Sequence, residues 1–164
     1  MHLSWRIRQW LSYQWNAKPL LSPHSPFVFD FVRKTLLPQN PVQEKQIISR
    51  IEAERKKAAA SDQILEIEDF GAGYSADGKR FRQIPLRQVI KSSARTPPTG
   101  IVLYRIANYL QPNHVLELGT NLGFSALYWQ LGIPSTGKLT TIEGSKTLAD
   151  FAENLFRPFQ MTPE

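Results

Sequence analysis

Two short stretches concentrate the residue types that could handle a small polar ligand. The first, VLELGTNLGFS at residues 115–125, is an apolar run that leads into an acid, Glu117, two glycines, Gly119 and Gly123, and a hydroxyl, Ser125. The second, LTTIEG at residues 139–144, ends in Glu143 and Gly144. A glycine turn at the C-terminal end of a strand lets backbone amides approach a ligand with no Cβ in the way. An acid at the tip of the next strand, about 20 residues on, can accept hydrogen bonds from two ribose hydroxyls. Together they suit a ligand that contains a nucleoside.

Spacing narrows the ligand. The dinucleotide fingerprint G-x-G-x-x-G needs three glycines at fixed offsets. Here Asn121 takes the second glycine position and Phe124 the third, so that pattern fails twice. The pattern E-x-G-x-x-x-G fits instead. On these residues the chain resembles the class I S-adenosylmethionine (SAM)-dependent methyltransferases. It looks most like the branch with the catechol and caffeoyl-CoA O-methyltransferases, whose motif reads E-[IL]-G-[TA]-x-x-G-[FY]-S.

The resemblance implies a role for each matched position. Glu117 would sit near the methionine amino group, and Gly119 would let the backbone approach the methionine part of SAM. Thr120 and Asn121 would line the turn that Gly123 closes. Ser125 would bind the methionine carboxylate at a helix N-terminus, where the dipole favours an anion. Glu143, with Gly144 beside it, would take the ribose hydroxyls. The cofactor implied is SAM, the partner a small-molecule methyl acceptor, and the reaction transfer to oxygen. No residue stands out as a catalytic base.

A rival stretch, ILEIEDFGAGYS at residues 64–75, also reads strand, acid, glycine, glycine, with Asp69, Gly71 and Gly73 matching D-x-G-x-G. The residues downstream separate the two. After Gly73 come Ala76, Asp77, Gly78, Lys79 and Arg80, a loop composition. After Gly123 come Phe124, Ala126, Leu127, Tyr128, Trp129 and Leu131, a helix apolar nearly all round, as one buried against a sheet must be. The expectation is a cofactor turn at Gly119 and a loop near the mouth of the site at residues 64–75.

The elements that position these residues follow from periodicity and punctuation. Leu3, Ile7, Trp10, Leu11 and Trp15 recur at helical steps. The expected helix packs on its own domain or on a partner subunit; an interfacial helix is the alternative that its tryptophans and arginines raise. Ser25-Pro26 and Asn40-Pro41 are helix starts. A short helix is expected from Ile84 to Ser93, started by Pro85. The run TPPTG at residues 96–100 should break it before a helix over residues 101–110. Gly132 should end the helix after the glycine turn. Ser145 should cap a last helix with Leu148, Phe151, Ala152, Leu155 and Phe156 on one face.

Composition excludes several classes. The chain has 164 residues, 41% of them hydrophobic, which suits one globular domain. With no cysteine there is no disulfide framework or thiolate metal site. The histidines, His2, His24 and His114, have no ligand-like spacing, so no metal is expected. The net charge of +6 is dispersed along the chain, and a nucleic-acid partner is not indicated by any cluster. No apolar run reaches the roughly 18–20 residues of a membrane span, and no signal peptide is legible, which points to the cytoplasm.

The whole reads as an α/β protein with a Rossmann-like, SAM-dependent methyltransferase fold and an α-helical N-terminal extension. Residues 1–95 form a helical cap with a strand-loop insert near 64–75, and residues 96–164 form the first part of the SAM-binding domain. Only one further strand and helix follow the turn, so the expected fold is truncated after its second core strand. The function expected is small-molecule O-methyl transfer, in an N-terminal fragment lacking full activity. A non-catalytic fragment or helical interaction module, with homo-oligomers, is one alternative. An RNA-directed methyltransferase or basic nucleic-acid-binding protein is another.

Overall fold

The computed structural model describes residues 3–17, 19, 21, 24–68, 81–93 and 96–161. Among these, three helices come first: α1 (Leu3–Asn16), α2 (Pro26–Leu36) and α3 (Pro41–Ala59). An antiparallel pair comes next, β1 (Ile64–Glu68) and β2 (Phe81–Pro85), then α4 (Leu86–Ser93) and α5 (Pro97–Leu110). The remainder alternates: β3 (His114–Leu118), α6 (Phe124–Gly132), β4 (Lys138–Ile142) and α7 (Lys146–Phe156). β3 and β4 pair in parallel, with His114 opposite Lys138 and Leu118 opposite Ile142. A parallel pair needs a crossover, and α6 provides it, so β3–α6–β4 is a Rossmann-like βαβ unit.

The helix starts form as their residue types dictate. The amide of Val28 donates to Ser25 Oγ at 3.4 Å, and that of Gln43 donates to Asn40 Oδ1 at 3.2 Å. Both caps precede a proline at the first helical position, where the missing N–H costs nothing.

Three boundaries differ from the sequence reading. Ile84 and Pro85 belong to β2, and α4 starts one residue later. Pairing with β1 claims the backbone through Pro85, and the Leu86 amide then donates to Gln63 O at 2.9 Å. The TPPTG run opens α5 instead of breaking a helix: Thr96 is the N-cap, Pro97 the first residue, and Thr96 O accepts from Gly100 N at 2.8 Å. Gly132 is the last residue inside α6. A Cβ there would lie 2.4 Å from Tyr104 O, so its bareness serves the close approach of α5. Gly100 does the same from the other side, facing the Tyr128 ring.

The core gathers Ile51, Leu65, Leu86, Ile101, Tyr104, Leu127, Leu139, Leu148 and Phe156 from α3 to α7. A buried ion pair fastens α3 to α5. Arg105 on α5 donates from Nε to Glu44 Oε1 at 2.9 Å and from Nη2 to Oε2 at 2.6 Å. Its Nη1 donates to Leu36 O, at the end of α2, at 3.3 Å. Burial alone would push the Glu44 carboxyl up. The Arg105 fork and the Gln39 amide outweigh that and hold it below its usual range. Sequence periodicity puts Leu110 on the α5 core face, but it is exposed, while Arg105 is buried.

Among the described residues, two exposed apolar surfaces bear on the argument. On the β3–β4 sheet, Val115 and Leu139 face the core, while Leu116, Leu118 and Ile142 on the other face are 60%, 75% and 54% exposed. The second is α1, where Trp5, Ile7, Trp10, Leu11, Tyr13 and Trp15 are exposed, so the expectation that it packs on its own domain is not met.

Candidate functional site

β3 stops at Leu118 because the next residues cannot extend it. Gly119 takes φ +87°, Asn121 φ +51° and Gly123 φ +83°, a tight left-handed turn. The two glycines are needed for different reasons. A Cβ on Gly119 would meet nothing within 4 Å, so this glycine supplies backbone freedom and leaves open space beside the turn. A Cβ on Gly123 would lie 2.8 Å from the Phe156 ring and 3.1 Å from Ala152 Cβ. That glycine lets α6 start against α7. Its role is in packing, which the sequence motif alone did not reveal.

The turn opens into a cleft of about 630 Å³. Glu117, Gly119, Thr120, Asn121 and Ser125 line it, as the motif anticipates. Ser125 lies in the first turn of α6, whose leading amides have no acceptor within the helix. Thr99, Leu103, Phe124 and Trp129 complete the wall; sequence reasoning singled out none of them as site residues. Thr99 and Leu103 arrive because α5 packs tightly on α6. Trp129 is one turn beyond Ser125 on α6, a spacing that could have flagged it.

Glu117 is aimed by two hydroxyls. Thr141 Oγ1 donates to Glu117 Oε2 at 3.0 Å. With its proton so used, Thr141 accepts from buried Thr120 Oγ1 at 2.6 Å. The parallel register puts Thr141 directly opposite Glu117, on the same face of the sheet. That relation was available in the sequence once the two strands were paired.

Glu143, which the resemblance assigns to the ribose hydroxyls, accepts from two backbone amides. Its Oε2 accepts from the Asn121 amide at 2.7 Å and its Oε1 from the Ser145 amide at 2.9 Å. The carboxylate thus bridges the glycine turn to the start of α7. It lines a neighbouring cavity of about 330 Å³ with Thr120, Thr141, Ala149, Ala152 and Phe156, and not the main cleft. Gly144 is exposed and lines neither. The two strand tips are nonetheless adjacent, since Ile142 O accepts from both Gly119 N, at 2.9 Å, and Thr120 N, at 3.2 Å. Ser145 holds the N-cap position of α7 but makes no side-chain cap; the Glu143 carboxylate meets its amide instead.

Behind the cleft, the Arg55 guanidinium lies 4.6 Å from the Phe124 ring centroid. The Tyr128 hydroxyl is buried there, and burial with the nearby Glu52 carboxylate pushes its pKa up to about 12, Arg55 opposing. A phenol so held stays neutral and does not border the cleft, so it offers no base. Asp69, Gly71 and Gly73 of the rival stretch lie outside the described residues.

A parallel strand–glycine turn–helix–strand unit, with a cleft at the strand's C-terminal end, defines a Rossmann-like ligand-binding domain. Comparison with known proteins shows what part of the chain is similar to. The chain is 39% identical over 61 residues to the transmembrane O-methyltransferase of Propithecus coquereli, covering 37% of this chain and 22% of that protein. The Homo sapiens transmembrane O-methyltransferase matches at 39% over 61 residues, 37% of this chain and 21% of its own length. Over those 61 residues, then, the chain is similar to O-methyltransferases, and it spans about a fifth of the length of these relatives. No family profile matches it. Among solved structures, a Klebsiella pneumoniae protein provisionally assigned as an O-methyltransferase aligns with a TM-score of 0.41 and 19% identity, over 82% of this chain and 47% of that one.

One expectation is overturned. The sequence pointed to the cytoplasm, yet the matched relatives are named transmembrane O-methyltransferases. Among the described residues no helix is long and apolar enough to cross a membrane.

Proposed function

We propose that the Gly119 cleft binds S-adenosylmethionine and that the protein takes part in methyl transfer to oxygen on a small molecule. The observation that carries this reading is the cleft itself, with its open glycine and its aimed carboxylate. SAM carries a methionine ammonium, a methionine carboxylate and a nucleoside. Glu117 suits the ammonium: it is an acceptor at the cleft wall, held by Thr141 in one orientation. Ser125 and the first-turn amides of α6 suit the carboxylate. Open space beside Gly119 admits the chain of the ligand.

Glu143 enters this reading in a changed role. Both its oxygens already accept from backbone amides, and each carboxylate oxygen retains a second lone pair for a ribose hydroxyl. It shapes the turn first and contacts the sugar second. SAM, when bound, supplies an electrophilic methyl on sulfur; the residues of this chain bind and orient it.

Isothermal titration of the chain with SAM tests the reading. Binding that weakens on Glu117→Gln supports it. Heat of mixing alone, or binding indifferent to that substitution, refutes it.

A further inference from the structure

Three of the four tryptophans of this chain, Trp5, Trp10 and Trp15, stand on α1. They are 59%, 59% and 91% exposed, with Ile7 at 49% and Leu11 at 55%. Burying such side chains is worth about 1.5–3 kcal/mol each; Trp5 falls on the other side of the helix, and the remaining four are a large unmet driving force. Ile7, Trp10, Leu11 and Trp15 share one face by the 3.6-residue repeat. The same repeat places Arg6 beside Trp10 and Arg8 beside Trp15, so a guanidinium flanks the apolar face on each side. α1 contains no acidic residue, and the first acid of the chain is Asp30, while Arg6, Arg8 and Lys18 all precede it.

We propose that α1 docks in the plane of an anionic lipid bilayer surface. Fourteen residues make a helix about 21 Å long, too short to span a bilayer. Laid flat, the helix puts its apolar face at the acyl boundary. Tryptophan prefers this level, because the ring is apolar and its N–H still finds a partner. The flanking arginines reach the lipid phosphates along their aliphatic stems. Charge decides between a bilayer and a second copy of the chain. Two such faces brought together would oppose arginines with no acid in either helix to answer them, whereas an anionic surface matches every charge on α1.

The test is sedimentation of the full chain with phosphatidylcholine vesicles, with and without phosphatidylserine, alongside tryptophan emission. The expected result is binding to the phosphatidylserine vesicles with a blue-shifted emission. Arg6→Ala and Arg8→Ala should each weaken it about fivefold, and rising salt should release it. Trp10→Ala should also weaken it while leaving the unfolding midpoint and SAM titration unchanged. Equal binding to neutral vesicles, or none to either, overturns the proposal. So does a concentration-dependent dimer lost on Trp10→Ala, which would assign the face to a second copy. A lowered unfolding midpoint in Trp10→Ala would mean that α1 packs within the domain, and overturns it equally.

Discussion

Two segments of this chain begin alike and continue differently. Residues 64–73 and 114–123 each offer a strand, an acid and two glycines. β1 turns back to pair antiparallel with β2, residue for residue from Ile64–Pro85 to Glu68–Phe81. β3 passes through Gly119 into α6 and returns as the parallel neighbour β4. The second route leaves the end of a strand facing the start of a helix, with amides and a carboxylate turned on one cleft. The acid and the glycines do not decide which happens. The residues after them do: charged and polar after Gly73, apolar on nearly every side after Gly123.

That contrast can be broken by substitution. Gly123→Ala should have the largest effect, because it combines a positive φ with a clash against Phe156. A loss of about 2–4 kcal/mol in urea unfolding is expected. Glu117→Gln should leave stability nearly intact and weaken SAM binding by about 10- to 100-fold, the range for a lost charged hydrogen bond. Calorimetry reads it. Thr141→Val removes only the hydroxyl that aims Glu117, and about a 3- to 10-fold loss is expected in the same titration. Gly71→Ala, in the segment that merely looks alike, should change SAM affinity by less than about twofold. A large effect there would reverse the assignment of the two segments.

How much of this was legible beforehand varies with the range of the interaction. The βαβ unit, the helix starts at Ser25 and Asn40, and the apolar α6 all follow from local residue types, and all appear in the structure. The cleft residues within the motif were likewise readable, since strand, turn and helix are contiguous. What escaped depends on partners distant in the chain. β2 could not be recognised before its pairing with β1. Nothing local marks Glu44 as buried; its partner, Arg105, is 61 residues away. Thr99 and Leu103 join the site only because Gly100 and Gly132 let α5 and α6 approach. Glu143 falls beside the turn as the motif anticipates, but the backbone amides of Asn121 and Ser145 that it accepts from are not legible in the sequence.

The tie between Glu44 and Arg105 makes acid the condition that most selectively loosens this protein. A carboxyl whose folded pKa is lowered lends stability that is complete above its ordinary value of 4.5 and disappears as the pH falls through the folded value. Below that, Arg105 is left in the interior with carbonyls for company and no anion. α3 should then loosen from α5 while β3, α6 and β4 hold together. An acid titration followed by circular dichroism should record helix lost before the sheet gives way.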